Sequence, residues 1–275
     1  MPVDYRKYRV LNNFDRHNGA RRLVDQDPET EFVDFGNEKI PASEKNGRVE
    51  SVFRSISTRY DVMNDLMSLG LHRIFKRMVI EMSATRAGDR VLDLAGGTGD
   101  LAALFAPVVG DKGQVVLADI NAPMMEVGRD QLLNRGVTEV EFCQANAEFL
   151  PFADARFNCI SMGFGLRNVT HKEVALDEMF RVLKPGGRLL VLEFSKPESK
   201  LVEAGYSGFQ ALWPAFGKLI TGDAGPYSYL VESIKMHPGQ QALKQMIEDA
   251  GFESVQYHNL LNGIVSIHRA TKAQS

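Results

Sequence analysis

The feature that most constrains the fold is a regular alternation of short apolar segments with helical stretches in the middle of the chain. The apolar segments are rich in Val, Leu and Ile, as strands buried on both faces are. We predict strands at 90–94, 114–119, 140–143, 157–162 and 188–194, separated by helices at 100–109, 123–134 and 171–183. Strands that alternate with helices form βαβ units, so the sequence predicts an α/β domain with a mostly parallel sheet.

Both ends of the chain depart from this alternation. Residues 1–48 have weak apolar periodicity and are predicted to be a disordered extension, or alternatively a basic tether to an anionic surface. Spacings of three and four predict a helical cover over 49–85. The aromatic-rich stretch 200–237 is predicted as a helical insertion, which is either a plain cover for the sheet or a contact for a lipid tail. A helix at 239–250 and strands at 253–258 and 264–269 complete a seven-stranded domain over 49–272.

Two local patterns predict where elements begin. Thr170 and Glu173 have the spacing of a capping box, which predicts that a helix starts beside them. The sequence KPGG at 184–187 predicts a turn ahead of the strand that follows it.

Composition excludes several classes of function. A length of 275 residues with 44% hydrophobic content suits one domain with a buried core, and a net charge of −3 gives no general attraction to nucleic acid. Cys143 and Cys159 lie in strand-like segments without the spacing of metal ligands, which indicates reduced thiols and a cytoplasmic protein. No His/Cys/Asp cluster suggests a metal site. The chain has no apolar run long enough to span a membrane and no secretory signal at its start.

The strongest chemical motif is DLAGGTGD, from Asp93 to Asp100, where the first predicted strand meets a helix. Small residues at such a junction let the backbone approach a ligand, and the helix N-terminus offers free N–H groups. We expect the cofactor to contact Asp93, Gly96, Thr98 and Gly99. Asp119 ends the next strand 20 residues after Gly99, where a carboxylate accepts hydrogen bonds from ribose hydroxyls.

The same glycines also fit the dinucleotide pattern G-x-G-x-x-A. An NAD(P)-dependent oxidoreductase is therefore one alternative, and a scaffold that binds S-adenosylmethionine without catalysis is another. Asp93 would repel a pyrophosphate but suits the cationic amino-acid part of S-adenosylmethionine. Asn146 and Ala147 follow the third predicted strand, where methyltransferases place adenine. These residues favour a methyltransferase.

Several longer strings closely resemble the UbiE family, the ring C-methyltransferases of ubiquinone and menaquinone biosynthesis. They are YDVMNDLMS followed by His72, DLAGGTGD, QANAE, FGLRNV, and RVLKPGGR continuing to EFS, and they extend from about residue 49 to about residue 270. The resemblance implies a class I methyltransferase fold whose last strand is antiparallel. It also implies that Thr98, Asp119, Asn146 and Ala147 touch S-adenosylmethionine. The implied substrates are demethylmenaquinol and 2-methoxy-6-polyprenyl-1,4-benzoquinol.

Two positions depart from the family pattern. Gly163 stands where members often have a Ser that contacts the cofactor, so only its backbone could serve here. Phe75 replaces a Trp three residues after His72, and the loss of the indole N–H makes a structural role the better prediction for this position.

A quinol ring carbon attacks a methyl group more readily once a neighbouring hydroxyl has lost its proton. We therefore predict that Arg167 stabilises the phenolate and that Asn168 holds a water or a quinol oxygen, because both follow the fourth strand at the ligand-binding edge of the sheet. Tyr60 and Asn64, one helical turn apart, are predicted to line the ring pocket together with His72.

The implied substrate has a polyprenyl tail that resides in a membrane. We therefore expect weak peripheral contact with the inner face of the membrane, with the surface around Trp213 and Phe216 as the candidate, and possible membership of a quinone-biosynthesis enzyme complex. No contact with nucleic acid is expected.

Overall fold

The computed structural model describes residues 31–56, 65, 68 and 70–274. Residues 1–30 and the predicted substrate residues Tyr60 and Asn64 lie outside this part of the chain. None of the described helices is both long enough and apolar enough to cross a membrane.

Ordered structure begins earlier than the sequence predicts. Strands β1 (Phe32–Phe35) and β2 (Glu38–Pro41) form an antiparallel hairpin, and helix α1 (Ala42–Ile56) follows directly. The prediction of a disordered extension reaching residue 48 is therefore wrong for residues 32–48. The hairpin is held from outside its own sequence, because the Phe35 ring stacks on Tyr229 at 4.5 Å and Glu232 accepts the backbone N–H of Asn37.

The domain is built on a seven-stranded sheet with the strand order β5-β4-β3-β6-β7-β9-β8. Strand β9 is antiparallel to both of its neighbours and all other pairs are parallel, which confirms the predicted class I arrangement. The strands are β3 (Arg90–Leu94), β4 (Gln114–Asp119), β5 (Val140–Gln144), β6 (Phe157–Gly163), β7 (Leu183–Phe194), β8 (Glu253–Leu260) and β9 (Val265–Thr271).

Helices cover both faces of this sheet. They are α2 (His72–Ser83), α3 (Asp100–Val109), α4 (Ala122–Asn134), α5 (Lys172–Val182), α6 (Lys200–Ala211), α7 (Trp213–Thr221), α8 (Gly225–Met236) and α9 (Gln240–Asp249). Alternate residues of one strand enter opposite cores: Leu190 packs with α2 and α3, whereas Leu189 packs with α5 and α9. Burial on both faces explains why the strands read as continuous apolar runs.

Two predicted boundaries are corrected. Helix α5 begins at Lys172 with His171 at its N-cap, and no side chain caps it. Thr170 instead donates its hydroxyl to Asn46, so there is no capping box. The KPGG segment lies inside β7 as an irregularity in its pairing with β6, where Gly186 has a φ of +73°.

The predicted helical insertion consists of α6, α7 and α8, which confirms its helical character. Trp213 is fully buried and packs edge-on against Phe194, Tyr206 and Phe209, with ring centroids 5.8–6.5 Å apart. The prediction that Trp213 belongs to a membrane-contacting surface is therefore wrong, because its ring forms part of the cover over the sheet.

Candidate active site

A deep cleft opens where the carboxyl ends of β3, β4 and β6 meet. Strand β3 pairs with β4 on one side and β6 on the other, which makes this edge the topological switch point at which open α/β sheets bind ligands. Helix α1 closes the opposite wall with Asn46, Val49, Glu50 and Phe53. The cleft holds about 730 Å³ of space including its open mouth.

Four of the predicted site residues line this cleft together: Asp119, Asn146, Ala147 and Asn168. Three residues from the predicted motifs also line the cleft, namely Gly97, Glu148 and Phe164. The sequence analysis assigned no site role to the other lining residues, which include the four of α1, Asn121 and Met124. Val49, Glu50 and Phe53 lie in the predicted helical cover, but a helical period does not show that the helix faces a ligand cleft. Asn46 lies before that cover, where apolar periodicity is weak.

Asp119 ties the glycine loop to the following helix. One of its carboxylate oxygens accepts the Gly97 N–H at 2.9 Å and the other accepts the Asn121 N–H at 2.8 Å. Burial raises the pKa of Asp119 above its usual range. Asn121 in turn caps α4 through the Met124 N–H and donates its side-chain amide to the Glu50 carbonyl of α1. A single hydrogen-bonded chain therefore fixes the loop, α4 and α1 relative to one another.

Asp93 lies beneath the loop and outside the residues that line the cleft. It is fully buried, and its two oxygens accept the Ser161 hydroxyl and the Ala102 N–H, each at 3.0 Å. Burial raises its pKa to about 7. These bonds fix the start of α3 against β6 and so support the cofactor loop. Direct contact of Asp93 with a cofactor stays a prediction.

The other predicted loop residues also support the site from outside the cleft lining. Thr98 is buried, and Gly99 adopts a φ of +84° as the N-cap of α3, a conformation that suits glycine. A Cβ at Gly96 would lie 2.7 Å from Leu117 Cγ. Gly163 leaves similar room for Leu101, because a Cβ there would come within 2.9 Å of Leu101 Cδ1.

Gly128 is a positioning residue that the sequence analysis missed. It lies within α4, and a Cβ there would come within 2.8 Å of the Gly97 carbonyl oxygen and 3.0 Å of the Thr98 backbone. Backbone atoms cannot move aside as a side-chain end can, so only glycine allows the helix to pack this closely on the loop. An isolated glycine inside a helical pattern was the available signal.

Two strand ends meet in strained conformations at the cleft. Ala95 after β3 and Phe164 after β6 have φ values of +54° and +58°, which are uncommon for residues with a side chain. A Cβ at Gly165 would lie only 2.5 Å from Ala95 Cβ, so the two loops are in tight contact. Strain of this kind is concentrated at functional sites, where surrounding structure maintains it.

Glu148 connects the cleft to the start of α5. Its carboxylate accepts the Thr170 and His171 backbone N–H groups at 3.1 Å and contacts His171 Nδ1 at 2.8 Å. The second ring nitrogen of His171 contacts Glu31 at 3.0 Å. The two carboxylates raise the pKa of His171 despite its partial burial. Glu148 also fixes Asn146, whose side-chain oxygen accepts the Glu148 N–H.

Arg167 does not line the cleft. Its guanidinium is 1% exposed and pairs with the fully buried Glu193 at 2.8 Å, while the same nitrogen donates to the Phe164 carbonyl. Glu193 also accepts the Arg167 backbone N–H at 3.2 Å. In this arrangement Arg167 holds the strained loop 164–168 in place, and its predicted direct action on a phenolate stays a prediction. Its neighbour Asn168 lines the cleft and accepts the Tyr229 hydroxyl at 3.1 Å.

His72 also lies outside the cleft lining. It is 2% exposed at the start of α2, where Nε2 contacts Asp65 at 2.9 Å and burial lowers its pKa. Phe75 on the next turn is buried in the core, which supports the structural role predicted for it.

Comparison with known proteins agrees with the motifs. A family model described as the ubiE/COQ5 methyltransferase family matches residues 41–272. The ubiquinone/menaquinone biosynthesis C-methyltransferase UbiE of Pseudomonas syringae pv. tomato is 56% identical over 257 residues, covering 93% of this chain and 99% of that protein. A protein with the same name from Pseudomonas putida strain F1 is 57% identical over 240 residues, covering 86% and 94%. The chain belongs to the ubiE/COQ5 methyltransferase family.

Solved structures agree on the fold. The chain is similar to a SAM-dependent methyltransferase from Aquifex aeolicus, with a TM-score of 0.55, 18% identity, and coverage of 76% of this chain and 97% of that one. It is also similar to the [4+2]-cyclase SpnF, with a TM-score of 0.62, 17% identity, and coverage of 84% and 97%. Because the second protein is described as a cyclase, the shared fold alone does not fix the chemistry.

Family membership decides between the alternatives left open by the glycine motif. The match covers both the glycine loop and the FGLRNV loop, whereas the dinucleotide pattern involves the glycine loop alone. Neither the NAD(P)-dependent oxidoreductase nor the non-catalytic scaffold is favoured. The cleft at the switch point is the candidate active site, and α1 forms one of its walls.

Proposed function

We propose that this chain methylates a ring carbon of demethylmenaquinol and of 2-methoxy-6-polyprenyl-1,4-benzoquinol, with S-adenosylmethionine as the methyl donor. The observation that carries the proposal is the high identity to proteins named as ubiquinone/menaquinone biosynthesis C-methyltransferases over nearly the whole chain. The cleft at the switch point supplies the site.

The residues of the cleft suit S-adenosylmethionine. The donor carries a sulfonium and an ammonium, and the cleft presents the carboxylates of Asp119 and Glu50 with no lysine or arginine among its lining residues. Asp119 would accept the ribose hydroxyls, and Asn146 with Ala147 would flank the adenine. Gly97, with its φ of +54°, brings the backbone of the loop into the cleft. When bound, the cofactor supplies an electrophilic methyl group.

The remaining cleft residues orient an aromatic ring and exclude water. Val49, Phe53, Phe164 and Val169 form an apolar wall, which suits the ring of a reduced quinone. Only the reduced form has a nucleophilic ring carbon. Exclusion of water lets the nucleophile approach the donor in line and strengthens nearby electrostatic interactions. Asn168 offers a polar contact beside this wall.

The proposal is tested by anaerobic turnover. We expect the purified protein to convert each reduced short-chain quinol into its methylated product only when S-adenosylmethionine is present, and to leave the oxidised quinones unchanged. A protein that binds S-adenosylmethionine by calorimetry but yields no methylated quinol from either substrate would contradict the proposal. Unequal turnover of the two quinols would show whether the ubiquinone precursor or the menaquinone precursor is the better substrate.

We also propose that the outer face of α6 and α7 contacts the membrane that holds the polyprenyl tail. Leu201 on α6, Leu219 on α7 and Leu212 between the two helices are 51–84% exposed, and Lys200 and Lys218 lie beside them in the chain. Exposed leucines with flanking lysines suit weak binding to an anionic interface. This surface replaces the one predicted around Trp213.

Vesicle flotation tests the contact. We expect L212S combined with L219S to reduce binding to anionic vesicles, while the matched change L261S, at an exposed leucine on another face, leaves it unaltered. If the unmodified protein does not float with such vesicles, then substrate delivery by an enzyme complex is the better explanation.

A further inference from the structure

A second cavity lies directly behind the active-site cleft and is lined mainly by polar groups. It is bounded by the β1–β2 hairpin, α8 and the segment that leads into α5. We call this cavity the lysine chamber. Its positive charge comes from Lys39, Lys45, Lys172 and Arg167, and the neutral residues Thr170 and Tyr229 also line it.

Two hydrogen-bonded pairs separate the chamber from the cleft. Asn168 on the cleft side accepts the hydroxyl of Tyr229 on the chamber side at 3.1 Å. Asn46 on the cleft side accepts the Thr170 hydroxyl at 3.5 Å, at the limit of a hydrogen bond. Lys45, the neighbour of Asn46 in α1, lines the chamber together with Thr170 of this weaker pair.

Three of the four chamber cations already have partners. Arg167 is paired with Glu193, Lys39 pairs with Asp34 at 2.7 Å, and the Lys172 ammonium donates to the Val169 carbonyl at 3.1 Å.

Lys45 differs from these three cations. It is only 5% exposed and has neither an ion pair nor a hydrogen bond among the described residues. Lys45 Nζ is not among the fully enclosed polar atoms that lack a partner, so the ammonium opens to the chamber. A confined ammonium without a partner is unfavourable, so Lys45 is poised to be neutral or to be satisfied by a ligand.

The surrounding charges set the protonation of this amine. Burial and the neighbouring cation of Lys172 lower the pKa of Lys45 to about 8, with a smaller contribution from Lys39, while Asp34 and Glu148 oppose the shift. Glu173 and Glu193 act on Lys172 and favour its charged form. His237, beyond the end of α8, has a pKa that is lowered well below its usual value by burial and by Lys172 and Arg167. His237 is therefore neutral at pH 7 and adds no charge.

We propose that Lys45 is the base that takes the proton of the quinol hydroxyl next to the reacting ring carbon, with that hydroxyl replacing the weak Asn46–Thr170 contact. This assignment rests on the proposed function.

The O–H bond breaks, its proton moves to the Lys45 amine, and the electron pair moves into the ring. The ring carbon then bonds to the methyl group while the methyl–sulfur bond breaks toward sulfur. Loss of the ring-carbon proton to solvent restores the aromatic ring, and Lys45 returns its proton to the oxygen.

The other chamber cations suit a supporting role. Arginine stays protonated in proteins, so Arg167 cannot accept a proton, and its pairing with Glu193 reduces the charge available to a ligand. Lys172 and Arg167 favour the ionised form of a phenol whose ordinary pKa is near 10. A base that titrates near the working pH is the most effective in general base catalysis.

The test compares pH–rate profiles of K45M, K45R and the wild-type protein, with the exposed α8 lysine variant K235M as the matched control. We expect the wild-type profile to have an acidic limb near pH 8. K45M should remove that limb and lower kcat about 100-fold, the lower end for loss of a general base. K45R keeps the cation but cannot accept a proton, so it should be as slow as K45M. S-adenosylmethionine affinity should be unchanged in both variants.

A K45M protein with wild-type kcat and an unchanged acidic limb would overturn the assignment, and so would full activity of K45R. If K45M does not fold, K45A assayed with added methylamine decides: amine-dependent rescue supports a base at this position, and its absence in a folded, S-adenosylmethionine-binding K45A protein opposes it. Failure of the wild-type protein to methylate any quinol would instead contradict the proposed function, so the two failures are distinguishable.

Discussion

The pair formed by Arg167 and Glu193 provides a quantitative test of how the active-site loop is held. Both side chains are at most 1% exposed, their closest atoms are 2.8 Å apart, and the guanidinium also donates to the Phe164 carbonyl. The change R167M would leave the Glu193 carboxylate buried with only the Arg167 and Phe194 backbone N–H groups as donors. Removing one partner of a buried pair costs about 3–5 kcal/mol. At about 2–4 °C per kcal/mol, the melting temperature should fall by roughly 10 °C.

The assay is a double-mutant cycle read by thermal melts and urea denaturation. We expect R167M and E193L each to be strongly destabilised and the double variant R167M/E193L to regain most of the loss, because replacing both charges by apolar groups removes the stranded one. R167K should recover part of the loss, because both contacts come from one guanidinium nitrogen and an ammonium has three donors. Additive losses in the double variant, or a cost below about 1 kcal/mol for R167M, would refute this description of the loop.

Three further predictions follow from single contacts. D119A should weaken S-adenosylmethionine binding by about 2 kcal/mol in calorimetry, because a charged acceptor is lost; unchanged affinity with an intact fold would contradict the ribose contact. G128A should also weaken this binding and lower the melting temperature, because a Cβ would press on the Gly97 carbonyl. The control G205A, in a helix with open space around that position, should be neutral or stabilising. Equal behaviour of the two variants would refute the close-packing argument. K45M should be more stable than the wild-type protein at pH 7 by up to about 3 kcal/mol, because the lowered pKa of Lys45 means that its protonation opposes folding. In urea titrations this advantage should shrink as pH rises from 8 toward 10.5. A stability difference that stays constant over this range would argue against a buried charge.

The fold was predictable from the sequence because its signals are local. Strands such as β3 and β4 were located at their observed bounds, since each is a short apolar run beside a helix with a clear period. Residues 32–48 were misjudged because their order comes from distant partners: Phe35 stacks on Tyr229 and Asn37 contacts Glu232. No pattern within the hairpin itself reveals contacts almost two hundred residues away.

The residues of the candidate site that end or follow strands were predictable from the sequence, and the others were less so. Asp119 and Asn146 follow strands whose carboxyl ends must share one edge, so topology alone brings them together. The position of Arg167 depended on Glu193, because a buried carboxylate on the neighbouring strand draws the guanidinium out of the cleft lining. Lys45 was missed because nothing in a lysine's sequence context distinguishes a solvated side chain from a buried one.

The central claim is that the cleft transfers a methyl group from S-adenosylmethionine to a quinol ring carbon. The most direct measurement is anaerobic incubation of the purified protein with S-adenosylmethionine carrying a deuterated methyl group and reduced short-chain demethylmenaquinol, followed by mass spectrometry and NMR of the quinone product. The account predicts one deuterated methyl on the ring carbon, about thirtyfold less product from the D119A control at limiting cofactor concentration, and none from the oxidised quinone. A label on oxygen, or an unlabelled product from folded protein that binds the cofactor, would contradict it.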